Sequence, residues 1–162
     1  MKFVENSFGL NDYFILILIV VLWAIYFLLP IKFSKQVSIL IGLYCITVSS
    51  VLDNTFGALA FDYYDIMDGP DYTIMDIAVY LIYPPFGLFF IYLFEKLRIS
   101  RKTYLPFIFV CSLFSLGFEW FSHLMNVFEY KNGYGIRYSL FIYIIVQSLF
   151  IAFYKKIRKL PI

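Results

Sequence analysis

Five long apolar stretches, separated by short polar loops, restrict this chain to one kind of architecture. As a helix, each stretch comes close to the roughly 20 apolar residues that cross the hydrocarbon core of a bilayer. Hydrophobic residues make up 62% of the chain, against about 45–50% in soluble domains. We therefore predict an all-α integral membrane bundle of five transmembrane helices, forming one domain over residues 1–162. The predicted spans are residues 13–29, 37–55, 73–94, 104–128 and 138–154.

The basic residues indicate how the bundle is oriented. Ten of the thirteen Lys and Arg residues follow the first, third or fifth span, so they share one side if the spans alternate. The positive-inside rule assigns that side to the cytoplasm. We predict a multi-pass protein of the cell (cytoplasmic) membrane, with its N-terminus outside and its C-terminus in the cytoplasm.

The fourth span carries a stripe of polar residues. Glu119 and the single histidine, His123, are four residues apart and share one face of a helix. A charged group at the centre of a bilayer costs about 2.5–3.5 kcal/mol on insertion scales. The stripe should therefore face protein or water. Its members follow steps of three or four: Ser112, Ser115, Glu119, Ser122, His123 and Asn126.

Three other spans place polar residues at similar depths, whereas the first span has none and should be peripheral. From these positions we expect one outward-opening cluster of Glu119, His123, Asp76 and Gln147. Asp53 ends the second span, and the pair Pro84-Pro85 should bend the third, with its freed carbonyl groups near Tyr or Ser side chains. The candidates for ligand binding or relay are Glu119, His123, Asp76, Gln147, Tyr80, Tyr83 and Asp53.

Each of these features also has a structural interpretation. Glu119 with Gln147 could be a hydrogen bond between helices that only sets packing, and Asp76 with His123 could be a structural ion pair. The residue types of Glu119, His123 and Asp76 would suit a metal ion, but a single histidine argues against zinc. We predict no metal and no cofactor.

Two residues and two short stretches resemble those of a known protein family. They are Asp53, Glu119, "YPPFGLFF" in the third span and the closing stretch "GYGIRYSLFIYIIVQS". Over about residues 37–155 the chain resembles a family of small multi-span membrane proteins from endospore-forming bacteria. The resemblance implies the fold and a location in the cytoplasmic membrane, and it carries no activity.

Three functions compete at this point. The first is a non-enzymatic membrane protein that binds a partner protein, a small ligand or a lipid in its outward cavity. The second is a small transporter or a proton or cation pathway that uses Glu119. The third is an intramembrane enzyme that acts on lipid, with His123 and Glu119 as base and orienter. We favour the first, so we expect binding more than catalysis. The expected partners are the lipid bilayer and a membrane protein or second copy of the chain, and not nucleic acid.

Overall fold

Five helices long and apolar enough to cross a membrane occur in the structure, a computed structural model that describes residues 8–30, 33–59, 61–68 and 73–160. This confirms the predicted all-α class and the number of candidate spans. Two of the five helices are composite. In chain order the elements are α1 (Leu10–Leu28), α2 (Lys35–Leu52) with a π-helical turn (Asp53–Leu59), α3 (Ile74–Val79) with a 3₁₀ turn (Tyr80–Ile82) and α4 (Tyr83–Lys96), α5 (Tyr104–Leu124), and α6 (Ile136–Ile157).

Two short strands connect loops that are distant in sequence. β1 (Tyr64–Ile66) follows α2, and β2 (Phe128–Tyr130) follows α5; they pair antiparallel and form what we call the loop sheet. We call this end of the bundle the loop-sheet end and the opposite end, where α4 and α6 finish in Lys and Arg residues, the basic end.

The fourth span is shorter than the sequence predicted, because α5 ends at Leu124 and not at residue 128. Asn126 has φ 59°, a left-handed conformation that Asn tolerates better than most residues and that cannot continue a helix. The chain then turns into β2. Hydropathy alone therefore predicted a helix that is too long, because the end of the apolar run belongs to a turn and to the loop sheet.

The third span is interrupted where its two prolines lie. α-Helical structure stops at Val79 and resumes at Tyr83, with proline in the first turn of α4, which is a position that tolerates it. Pro85 has no N–H for the carbonyl group of Leu81, four residues earlier. The Trp23 indole Nε1 donates a hydrogen bond to that oxygen at 3.0 Å. A 3₁₀ turn lies next to the prolines at which a bend was predicted, and the donor to the freed Leu81 carbonyl group is a tryptophan and not a Tyr or Ser.

The helices are held together by two apolar clusters. The larger one lies towards the basic end, between α2, α4, α5 and α6, and contains Ile41, Ile91, Ile108 and Ile151, all at most 2% exposed. The smaller one joins α1 to the third span and the loop sheet. α1 contacts the third span and leaves many large apolar side chains exposed, which agrees with the peripheral position expected for it.

Candidate functional site

Glu119 is a buried carboxylate surrounded by hydroxyl groups. It lies on α5 with 7% of its surface exposed. Its Oε1 accepts hydrogen bonds from Tyr130 Oη and Ser139 Oγ, both at 2.7 Å, and its Oε2 accepts one from Tyr143 Oη at 2.6 Å. Hydrogen bonds to a charged group are stronger than those between neutral groups. Three donors on one carboxylate therefore hold it firmly in place between β2, α5 and α6.

A second layer of hydroxyl groups supports this arrangement. Tyr134 Oη lies 2.8 Å from Ser139 Oγ. Because the Ser139 hydrogen is donated to Glu119, Tyr134 must be the donor in this pair. Burial, the hydrogen bond to Glu119 and the charge of that carboxylate raise the pKa of Tyr130 above its usual range. Its hydroxyl therefore keeps its hydrogen and remains a donor at neutral pH.

Asp53 is a second carboxylate, and it is only half satisfied. It is the first residue of the π-helical turn that extends α2, a local structure often found at functional sites. Tyr64 Oη donates to Asp53 Oδ1 at 3.0 Å. Among the described residues, Oδ2 is buried and has no hydrogen-bond partner. Tyr83 lies close enough to this carboxylate to interact with it, but none of the described residues makes a hydrogen bond of normal distance and angle to Oδ2.

The loop sheet brings the two carboxylates to one place. Tyr64 in β1 is paired directly with Tyr130 in β2, and residues paired in this way project from the same face of a sheet. Each tyrosine donates to a different carboxylate, Tyr64 to Asp53 and Tyr130 to Glu119. One cross-strand pair therefore links the end of α2 to α5.

An ion pair connects the two strands on the other face of the loop sheet. Lys131, the residue after β2, pairs with the carboxylate of Asp65 in β1, and the Lys131 backbone N–H donates to the Tyr63 carbonyl oxygen at 2.7 Å. The hydrogen bond to Asp65 raises the pKa of Lys131. Because Asp65 is opposite Glu129 in the sheet, Lys131 also offsets the repulsion between these two acids.

Both carboxylates line one cavity of about 110 Å³. Drug-sized ligands occupy clefts of about 300–1,000 Å³, and an apolar cavity of about 150 Å³ holds benzene, so this cavity suits a group of roughly five heavy atoms. No Lys, Arg or His is among the described lining residues. These are Ser49, Leu52, Asp53, Phe56, Tyr64, Tyr83, Glu119, Phe128, Tyr130, Tyr134, Ser139, Ile142 and Tyr143.

Three of the seven residues selected from the sequence line this cavity: Asp53, Tyr83 and Glu119. His123 and Gln147 do not. His123 Nδ1 donates to the Phe128 carbonyl oxygen at 2.6 Å, and its ring packs on Tyr130 at 4.8 Å between centroids.

Gln147 lies about one turn deeper than Glu119. Its Oε1 accepts from Ser112 Oγ at 3.2 Å, and its Nε2 donates to Ser115 Oγ at 3.0 Å. These bonds connect α5 to α6 within the bundle.

Asp76 and Tyr80 have local roles in the third span. Asp76 Oδ2 accepts from the Thr73 backbone N–H at 2.5 Å and from its hydroxyl at 2.7 Å, and the Thr73 hydroxyl accepts from the Asp76 N–H. This is a capping box at the start of α3. Tyr80 lies in the 3₁₀ turn, with its ring 6.0 Å from that of Tyr83.

The predicted cluster of Glu119, His123, Asp76 and Gln147 is therefore wrong in its membership. Helical spacing and depth correctly selected polar residues. Spacing and depth could not show that three of the four side chains, those of Asp76, His123 and Gln147, form hydrogen bonds with nearer backbone groups or serines.

Five of the residues around the two carboxylates were missed. On α6, Ser139 and Tyr143 share a face with Gln147 at steps of four, so helical spacing could have revealed them. The other three lie in the loop sheet or just after it, in sequence segments whose tyrosines resemble an ordinary interfacial aromatic belt. They are Tyr64, Tyr130 and Tyr134.

Comparison with family models, curated proteins and solved structures finds no match to this chain. The resemblance to a family from endospore-forming bacteria therefore stays a prediction. The function has to be inferred from the cavity itself.

Proposed function

We propose that the protein is an integral membrane protein that binds a small cationic ligand in the cavity between Asp53 and Glu119. The cell membrane is the proposed location, with the loop-sheet end outside, because the basic loops lie at the other end. The cavity would then be accessible from outside the cell. Lipid surrounds the bundle in this proposal, and the ligand is a separate small molecule or ion.

One observation carries the proposal: among the described residues Asp53 Oδ2 is buried without a hydrogen-bond partner, in a cavity that Glu119 also lines and that no described basic side chain lines. Removing a carboxylate from water costs several kcal/mol unless a positive charge or a proton compensates it. Glu119 has three hydroxyl donors, whereas Asp53 has one. A bound cation would satisfy the free oxygen and balance the charge of the site.

The interior below the cavity favours binding over passage through the bundle. Towards the basic end, Phe150 stacks on Tyr44 at 5.1 Å and on Phe90 at 5.7 Å between ring centroids. These rings pack against fully buried residues of the larger apolar cluster, including Ile41 and Ile151. A transported cation would have to cross this apolar layer without ligands, which is strongly unfavourable.

Cation titrations of the purified protein in lipid nanodiscs test the proposal. We expect at least one of ammonium, methylammonium, potassium and sodium to bind saturably in isothermal titration calorimetry. Asp53→Asn removes the charge but keeps the side-chain shape, and it should weaken binding at least about tenfold, because hydrogen bonds to charged groups contribute about 1.5–3 kcal/mol.

A matched control separates the effect of the Asp53 charge in the cavity from the effect of any lost negative charge on the protein. Glu129→Gln removes the same charge from an exposed residue of the same loop sheet, and it should leave binding unchanged. Thermal unfolding of each variant establishes that it is folded. The proposal is wrong if none of the four cations binds, or if the Asp53 and Glu129 variants weaken binding equally.

A further inference from the structure

We infer that the cation is a short primary alkylammonium, held by Asp53 Oδ2, and that Glu119 serves to position the tyrosines around it. This inference rests on the proposed function and specifies the ligand class. It follows from three properties of the lining: which hydroxyl hydrogens are already used, which surfaces are apolar, and how much room is left.

The lining offers mainly hydrogen-bond acceptors. The hydroxyl hydrogens of Tyr64, Tyr130, Tyr143 and Ser139 are donated to the two carboxylates, and that of Tyr134 to Ser139. These hydroxyl oxygens keep lone pairs that can accept. Among the described lining residues, only the hydroxyl groups of Ser49 and Tyr83 remain as further donors. A ligand that satisfies this site should therefore bring several N–H donors, as an –NH₃⁺ group does.

The two carboxylates have different roles in this arrangement. Glu119 is buried and accepts three hydroxyl groups from β2 and α6, so it fixes Tyr130 and Tyr143 in place. Asp53 accepts one hydroxyl group and keeps a free buried oxygen. Asp53 is therefore the counter-ion of the ligand, and Glu119 is a positioning residue.

An apolar wall completes the site. Leu52, Phe56, Phe128 and Ile142 line the same cavity as the carboxylates. A bare metal ion or ammonium ion would make no use of this surface, whereas a short alkyl chain would bury against it. The volume of about 110 Å³ accommodates roughly five heavy atoms by comparison with benzene in a cavity of about 150 Å³. The ligand is thus a compact amine of a few carbon atoms.

A graded series of cations in nanodiscs tests this inference. Affinity should rise from ammonium through methylammonium and ethylammonium to propylammonium, by roughly fourfold per methylene group if each is fully buried. Potassium should bind more weakly than methylammonium. Tetramethylammonium should bind most weakly of the organic cations, because it has the charge but no N–H donor.

Two variants add a readout that general damage to the fold would not produce. Ile142→Ala shortens the apolar wall, so it should reduce the gain in affinity per methylene group. Asp53→Asn should weaken every member of the series together. Glu129→Gln is again the matched control, and it should reproduce the wild-type series.

The outcomes separate this inference from the function on which it rests. If potassium or sodium binds as tightly as methylammonium, the site binds cations but the ligand class is wrong. If tetramethylammonium binds more tightly than methylammonium, the ligand does not need N–H donors, and the inference from the hydrogen-bond acceptors of the lining is wrong. If no member of the series binds, both proposals fail.

Discussion

Gly87 is the position where the packing of the bundle can be tested most directly. A Cβ atom added there would overlap the sulfur of Cys45 on α2 and would lie 3.2 Å from Phe150 Cζ on α6. Gly87 thus lets α4 approach α2 closely, as small residues do in membrane helix pairs, and leaves room for the Phe150 ring of α6. Gly117 on α5 is the matched control, because a Cβ atom there meets nothing within 4 Å.

The expected magnitude follows from comparing these two glycines. Gly→Ala within a helix gains about 0.5–1 kcal/mol at either position, whereas overpacking costs about 1–3 kcal/mol and applies only to Gly87. Gly117→Ala should therefore stabilise the protein slightly. Gly87→Ala should have a free energy of unfolding lower than that of Gly117→Ala by about 1–3 kcal/mol.

Unfolding titrations with sodium dodecyl sulfate in mixed micelles, followed by tryptophan fluorescence, provide the measurement. Cys45→Ala combined with Gly87→Ala should recover part of the loss, because the sulfur is gone while the close approach to Phe150 remains. The reasoning is refuted if Gly87→Ala is as stable as Gly117→Ala, since the Cys45 sulfur would then rotate away at no cost.

Two further predictions concern orientation and the interrupted helix. In a background without the native cysteines, Asp68→Cys should react in intact cells with an impermeant thiol reagent and Arg101→Cys should not; labelling of Arg101→Cys would contradict the proposed orientation. Trp23→Phe keeps an aromatic side chain but removes the donor to the Leu81 carbonyl oxygen, so the same detergent titration should show a loss of about 0.6–1.7 kcal/mol. An unchanged free energy of unfolding would mean that this bond contributes nothing.

The sequence predicted the positions of the long helices well because long apolar runs bounded by charged loops mark where such helices begin and end. All five candidate helices lie where apolar residues predicted them, within a few residues at most ends. The exception is α5, where residues 125–128 are apolar enough to continue a span but belong to a turn and a strand. Strands of three residues, separated by about sixty in sequence, give no periodic signal that could have revealed the loop sheet.

The site was only partly predictable because depth and helical face identify polar residues but not their partners. Asp53, Tyr83 and Glu119 were selected correctly as neighbours of one cavity. The local role of Asp76 was readable in principle, since Thr73 and Asp76 have the spacing of a capping box. The tyrosine donors from the loops became visible only with the loop sheet, because their positions depend on pairing between β1 and β2.

This pairing also sets the order in which the molecule can be completed during synthesis. β1 is made directly after the second span, but its partner β2 emerges only after the fourth. Until then Tyr64 has no cross-strand partner. Closing so long a loop costs conformational entropy. The cavity is therefore completed only late in synthesis, after the last long helix, α6, has supplied Ser139 and Tyr143.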